Sequence, residues 1–206
     1  IDKAMIDSAR HAGHVIKLLA VCERLTDEPE EAISVRVYPA LIHRDHPLAS
    51  VHGANNAVFV EAEAAGNLMF YGAGAGGVQT ASAVLGDVVS AARRHIAGGV
   101  GVGESTLANL PIVPIGRVTT RYQITLEVDD RPGVLATVAG ILSEGRVSIA
   151  TVEQTVIDHP DLGVPVARLV IGTHKAREQD LSDTVDRLAA SGVVERVVSV
   201  LRVEGD

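Results

Sequence analysis

The sequence predicts an α+β chain in three parts. An antiparallel sheet with packed helices occupies residues 1–96, a linker 97–119, and a βαββαβ unit 120–206. Composition is the first observation behind this. Hydrophobic residues make up 47% of the 206 and aromatics 2%, with no Trp, so the core is built from Val, Leu, Ile and Ala. Such a core suits sheets covered by Ala-rich helices. Second, several short runs alternate apolar and polar residues with period two, as half-covered strands do. Third, from Tyr122 onward the patterns follow one another as strand, helix, strand, strand, helix, strand.

Residues 6–10 read as a short helix stopped near Gly13. The run 14–23 is apolar enough for a helix, but the β-branched Val15, Ile16 and Val21 after Gly13 favour a strand. Thr26-Asp27-Glu28-Pro29-Glu30-Glu31 reads as a solvated acidic turn. Residues 33–38 then alternate, with Ile33, Val35 and Val37 on one side and Ser34, Arg36 and Tyr38 on the other, a half-buried strand that Pro39 places at an edge or an ending. Beyond the polar connection His43-Arg44-Asp45-His46-Pro47, residues 57–63 and 67–71 form a hairpin through Ala64-Ala65-Gly66, where Gly66 is free to take positive φ. Up to four antiparallel strands thus join one sheet before residue 72. Gly72-Ala73-Gly74-Ala75-Gly76-Gly77 leads into residues 80–96, where Ala81, Val84, Leu85, Val88, Val89, Ala92 and Ile96 recur at helical spacing. This is an amphipathic helix with one buried stripe, and Arg93, Arg94 and His95 suit the negative end of its dipole. Residues 97–119 lack a clean period and read as a linker anchored on the first domain by Leu107, Leu110 and Ile112.

In the second unit Ile124, Leu126 and Val128 alternate along the strand 122–129, and Arg131-Pro132-Gly133 makes the turn. Val134, Leu135, Val138, Ala139, Ile141 and Leu142 give a helix that ends at Gly145. A strand over 147–156, the loop Asp158-His159-Pro160-Asp161-Leu162-Gly163 and a returning strand over 166–174 follow. Leu181, Val185, Leu188 and Ala189 mark the second helix, stopped near Gly192, and a strand over 194–203 closes the unit. Both crossovers are long enough to carry a helix between parallel strands.

The formal net charge is −8, and the longest basic runs are pairs such as Arg93–Arg94. A nucleic-acid partner is therefore not expected, because phosphate binding needs a concentrated basic surface. The single cysteine, Cys22, lies in an apolar run and reads as a buried reduced thiol, with no disulfide framework or zinc cluster to join. No run has the length and apolarity of a membrane span, and no basic segment precedes an apolar one at the start, so a cytoplasmic protein is expected. The chain opens on Ile1-Asp2-Lys3 without an initiator Met, which points to a processed or truncated product.

The glycine run 72–77 stands between a strand and a helix. It reads either as a ligand contact, with bare backbone and free helical N–H groups, or as a tight turn that lets helix and sheet pack closely. His43, Asp45 and His46 read as a polar loop in preference to a metal site. Asn55 and Asn56, after His52, either lock a turn or face a substrate. Ser105, between Glu104 and Thr106, has no hydrolase pattern around it and reads as a helix cap. Asp87 either pairs across a domain contact or faces solvent.

Three stretches carry a resemblance: HVIKLLAVCERL (14–25), ISVRVYPALIHRDHPLASVHGANNAVFVEAEAAGNLMFYGAGAGG (33–77) and TASAVLGDVVSAAR (80–93). They resemble the C-terminal portion of bacterial homoserine dehydrogenases. RYQITLEVDDRPGVLATVAGILSEGRVSIATVEQ (121–154) resembles an ACT module, a ferredoxin-like regulatory fold. The resemblance implies interconversion of L-homoserine and L-aspartate 4-semialdehyde with NADP or NAD, in threonine, methionine and isoleucine biosynthesis. It also implies that the catalytic Lys lies upstream of Ile1, so no catalytic residue is assigned here, and neither Lys3 nor Lys17 takes that role. No stretch has a dinucleotide-binding fold's opening GxGxxG between strand and helix with an acid roughly twenty residues on, so this chain alone holds one side of a cofactor and binds it poorly. Gly74, Ala75 and Gly76 are the implied cofactor contacts; many relatives carry Pro where this chain has Ala73.

For the ACT module the resemblance implies an amino-acid effector, L-threonine. Asp129 or Asp130 would take its ammonium, the helix start at Gly133 and Val134 its carboxylate, with Ser148 and Ile149 across the cleft. It further implies a homo-oligomer, a dimer through the sheet domain, the ACT module or both. The alternative is a catalytically inactive sensing or dimerisation module.

Overall fold

The computed structural model describes residues 1–26, 30–99, 109–157 and 166–205. Asp27, Glu28 and Pro29 of the acidic turn, the linker residues Glu104, Ser105, Thr106 and Leu107, and the loop 158–163 lie outside the described residues. In chain order the elements are α1 (Lys3–His11), β1 (His14–Leu25), β2 (Ala32–His43), β3 (Asn55–Ala62), β4 (Gly66–Ala73), α2 (Gly77–Ile96), β5 (Thr119–Asp129), α3 (Val134–Glu144), β6 (Ile149–Ile157), β7 (Val166–Thr173), β8 (Ala176–Arg177), α4 (Glu178–Ala189) and β9 (Val194–Glu204). They divide into two units that do not follow chain order: Ile1–Arg44 with Leu110–Asp206, and Asp45–Asn109.

In the first unit, α1 begins where Asp2 Oδ1 accepts the Met5 N–H at 2.8 Å, and Gly13, at φ +74°, turns the chain into β1. Residues 14–25 form a strand, as their β-branched content favours, and pair antiparallel with β2 from His14↔His43 to Leu25↔Ala32. The four strands expected before residue 72 do not form one sheet. β1 and β2 instead belong to a sheet of order β1-β2-β9-β5-β7-β6, while β3 and β4 pair only with each other. The physical reason is that β2 has a second free edge after Pro39, and Ala40, Leu41 and Ile42 pair there in parallel with Arg202, Val203 and Glu204. Pro39, which has no N–H to offer, is the last residue before that pairing begins.

The expected βαββαβ order forms: β5, α3, β6, β7, α4, β9, with the two-residue β8 added before α4. β5 lies between β7 and β9, antiparallel to both. Tyr122, Ile124, Leu126 and Val128 project toward α3 and α4 and form the main core with Val138, Leu142, Leu169, Ile171, Leu181 and Leu188. A smaller core of Ala9, Leu41 and Leu201, with Met5, Ile16 and Val203 against it, fixes α1 over β1, β2 and β9. Burial of this aliphatic surface is the main stabilising contribution.

β2 alternates as expected, yet its buried face is the polar one. Ser34, Arg36 and Tyr38 are buried, while Val35 and Val37 are 55% and 66% exposed. Arg36 accounts for this. Its guanidinium donates to Tyr38 Oη at 2.7 Å and Ser34 Oγ at 3.0 Å, and pairs with Glu23 at 2.8 Å and Glu204 at 3.6 Å. Tyr38 in turn donates to the Glu204 carboxylate. A neighbouring cluster continues across β9: the Arg202 guanidinium lies 4.5 Å from the Tyr38 ring centroid and 5.6 Å from that of Tyr122. Arg202 pairs with Glu178, which also accepts the Tyr122 hydroxyl at 2.8 Å. Burial and these carboxylates push both phenols well above the ordinary tyrosine range. Cys22, expected to be buried, is exposed beside Val35 on the outer face of the hairpin. Period-two alternation puts it on the side opposite Arg36 and Tyr38, where no core forms.

On β5, Glu127 is 4% exposed on the face opposite the main core. Arg168 donates to it at 2.8 Å, and Arg196 through two nitrogens at 2.8 and 3.0 Å. Burial works against the charge, but the two guanidiniums outweigh it and hold the carboxyl below its ordinary value. A carboxylate lowered on folding adds stability above its unfolded pKa, and that stability is lost as pH falls through the folded value. Glu127→Gln is expected to cost about 1–2 kcal/mol at neutral pH, since both arginines are partly solvated. It is also expected to flatten the acid limb of stability below roughly pH 4.5, the carboxyl's reference value. Urea unfolding at stepped pH checks both outcomes.

Candidate functional site

The second unit presents the glycine loop. β3 and β4 pair from Asn55↔Ala73 to Ala62↔Gly66, and Gly66 takes φ +68° at the turn, as its sequence position requires. β4 hands the chain to Gly74, Ala75 and Gly76, and α2 starts at Gly77. Gly76, at φ +136°, occupies the N-cap position with no side-chain hydrogen bond, so its neighbours' helical N–H groups keep their donor capacity. The loop and the first turns of α2 frame an open cavity of about 850 Å³. Gly74, Ala75 and Gly76 line one end and Ala81, Val84 and Leu85 supply an apolar wall. No carboxylate lines it. Bare backbone, free N–H donors and an apolar wall fit one flank of a dinucleotide.

The stripe of α2, expected to be buried, is not. The helix has no buried residue, and Leu85 and Val88 are 62% and 57% exposed. Helical spacing predicts which side is apolar; it does not supply the surface that covers it. Asp87 on the same helix is exposed.

The first unit presents a second cavity, of about 370 Å³, where β5 meets α3. Asp129, Asp130, Gly133 and Val134 line it, together with Arg131 and Gln154. Gly133 sits at φ +93° and ψ −16°, capping α3 without a side-chain hydrogen bond. Asp129 pairs with Arg131 at 2.9 Å. A cavity with donor N–H groups on one side and carboxylates on the other can meet both charges of an α-amino acid.

The homoserine dehydrogenase family model matches residues 1–89, and the ACT domain model matches residues 122–193. The chain is similar to homoserine dehydrogenases over its whole length. It is 54% identical over 207 residues to the homoserine dehydrogenase of Corynebacterium glutamicum, an alignment covering 100% of this chain and 45% of that protein. With the Mycobacterium tuberculosis H37Rv homoserine dehydrogenase the identity is 52%, covering 100% and 47%. The crystal structure of a homoserine dehydrogenase from Thiobacillus denitrificans superposes with a TM-score of 0.86 at 33% identity, covering 99% of this chain and 46% of that one. The chain thus spans about half the length of the curated relatives it matches.

Within this chain, Gly74, Ala75 and Gly76 come together at one cavity, and Asp129, Asp130, Gly133 and Val134 at the other. Ser148 and Ile149 do not line the second cavity. Ser148 lies just before β6, its carbonyl accepting the His174 N–H at 2.8 Å, and Ile149 pairs with Thr173. β6 reaches the cavity further along, at Gln154, which pairs with Leu169. Counting the antiparallel register of β6 and β7 back from their connecting loop would have found it. His46 accepts the Leu48 N–H at 3.2 Å, and the His14 and His43 rings meet edge to face at 5.6 Å. Among the described residues no group of three or more His, Cys, Asp or Glu side chains is placed to hold a metal, and no helix is long and apolar enough to cross a membrane.

An added Cβ at Gly133 meets no atom within 4 Å, so its cost is backbone strain alone. Gly133→Ala is expected to lower stability by about 1–2 kcal/mol, the usual penalty of a left-handed L-residue. Chemical denaturation measures it.

Proposed function

We propose that this chain supplies the substrate-domain sheet, one rim of the cofactor site and the regulatory ACT domain of an NAD(P)-dependent homoserine dehydrogenase, which interconverts L-homoserine and L-aspartate 4-semialdehyde in the cytoplasm. The observation that carries this is the unbroken likeness to curated homoserine dehydrogenases across the whole length, 54% and 52% identical, with the glycine loop inside it. By likeness to the family, residues 1–96 are the substrate and dimerisation region, 97–119 the linker and 120–206 the ACT region, with β1 and β2 of the first region built into the sheet of the last.

The dinucleotide, when bound, accepts or donates the hydride. This chain's part is to position and to dry the site. The bare backbone of Gly74, Ala75 and Gly76 admits close approach, and the N–H groups opening α2 offer donors. Ala81, Val84 and Leu85 present a surface that excludes water from one side. The proton at the substrate oxygen is handled by a Lys outside this chain.

The homo-oligomer forms on the apolar outer face of the β1–β2 hairpin, where Leu18, Val35 and Val37 are exposed, with the ACT domain as a second contact. L-Threonine is the effector. Its carboxylate meets the start of α3, its ammonium meets Asp130, and it acts by binding one arrangement of the enzyme more tightly than the other.

The chain by itself is expected to show no cofactor-dependent oxidation of homoserine, whereas the full-length protein turns over; a rate from the pure chain comparable with an intact relative overturns the proposal. Titration calorimetry with L-threonine is expected to show binding that weakens at least about tenfold in Asp130→Ala, a loss of roughly 1.4 kcal/mol or more. Silence at millimolar threonine would leave the ACT domain a dimerisation module.

A further inference from the structure

The glycine loop contains glycines of two kinds. Gly76 sits at φ +136°, a conformation that excludes other residues by backbone geometry. Gly74 is not among the positive-φ glycines, so backbone freedom does not explain it. Gly72 and Gly77 have nothing within 4 Å of an added Cβ, so space does not explain those two. At Gly74 an added Cβ would lie 2.8 Å from Oδ1 of Asn56, and closer still to its Nδ2 and Cγ. The whole carboxamide head of Asn56 therefore fills the volume that a side chain at residue 74 would take. The residue is glycine for space, and the occupant of that space is a single amide.

We propose that Asn56 is the positioning residue of the glycine loop: its carboxamide rests on the bare Cα of Gly74 and fixes the backbone that forms the cofactor rim. This rests on the reading of Gly74, Ala75 and Gly76 as that rim. Asn56 is placed to do it. It lies one residue inside the end of the β3–β4 ladder, opposite Gly72, and the ladder stops at Asn55↔Ala73. Beyond that pair the loop keeps one main-chain tie to β3's approach, the Gly74 N–H to the Ala54 carbonyl at 2.8 Å. Between that tie and the Gly76 carbonyl, which accepts the Thr80 N–H at 2.9 Å, a run of glycine and alanine has many conformations to lose on meeting a ligand. A short, stiff amide wedged against Gly74 removes much of that freedom beforehand. Asn56 is itself exposed, so hairpin packing does not call for it. The same geometry separates Gln79 from this role: it approaches Gly76 with the far end of a longer, flexible side chain.

The test uses the full-length enzyme with Gly74→Ala, Asn56→Gly and both together, reading kcat and KM for dinucleotide and homoserine separately, with melting temperature as the check on folding. Gly74→Ala is expected to raise the dinucleotide KM about tenfold and leave the homoserine KM within about twofold, because the methyl displaces the amide. Asn56→Gly raises the dinucleotide KM about threefold, and the double variant returns to within about threefold of the parent, since its methyl occupies the vacated space. If the double variant shows the product of the two single effects, Asn56 does not position the loop, although the rim reading survives. An unchanged dinucleotide KM in well-folded Gly74→Ala overturns the rim reading and this inference with it. Should Gly74→Ala fail to fold, recovery of folded enzyme in the double variant supports the pairing, and continued misfolding overturns it.

Discussion

Strand β9 has β2 on one side and β5 on the other, and the arrangement of the first unit depends on how its last turns of chain are held there. Backbone pairing to β2 extends over only Ala40, Leu41 and Ile42. Side chains supply the rest. Arg202 lies against the rings of Tyr38 and Tyr122 and pairs with Glu178, while Glu204 receives the Tyr38 hydroxyl and faces Arg36. Buried charge costs several kcal/mol per ion to desolvate, so such a cluster persists only where every member is matched. Here Arg36 has four partners and Glu178 two. Removing one member leaves the others buried and unmatched, which makes the seam specific in register as well as adhesive.

That constraint also explains what the sequence makes legible. The βαββαβ order is readable because each element is signalled locally: alternation at Ile124, Leu126 and Val128, helical spacing from Val134 to Leu142, a glycine at each helix end. The partner of the β1–β2 hairpin is not readable, since the edge it pairs with lies at the other end of the chain. The buried side of β2 misleads for the same reason. A face bearing Ser34, Arg36 and Tyr38 looks like the wet one until Glu23 and Glu204 are seen to satisfy it. Cys22 follows Val35 and Val37 to the outside. Hydropathy marks the apolar side of α2 correctly but says nothing about cover.

The two candidate sites differ in how readable they are. At the ACT cavity, Asp129, Asp130, Gly133 and Val134 are neighbours in sequence and meet through one turn, so motif and geometry coincide. Gln154 comes from a strand whose register must be known first. At the glycine loop, the residues 74–76 announce themselves, whereas Asn56 is legible only once the β3–β4 ladder brings it against Gly74. In both places a glycine marks a site: Gly133 is required by its positive φ, whereas Gly74 makes room for its neighbour in space, Asn56.

The reach of the β2–β9 seam has a consequence for biosynthesis. Tyr38 and Glu204 are 166 residues apart, so the hairpin leaves the ribosome long before the strand that completes it exists. Until residues 202–204 have been made, Arg36 and Tyr38 lack Glu204, and Ala40, Leu41 and Ile42 have no partner on the second edge of β2. Contacts of such separation pay their loop-closure entropy late and form slowly. The first unit therefore reaches its native sheet only after β9 has emerged, and its early hairpin is a natural client for chaperones in the interval.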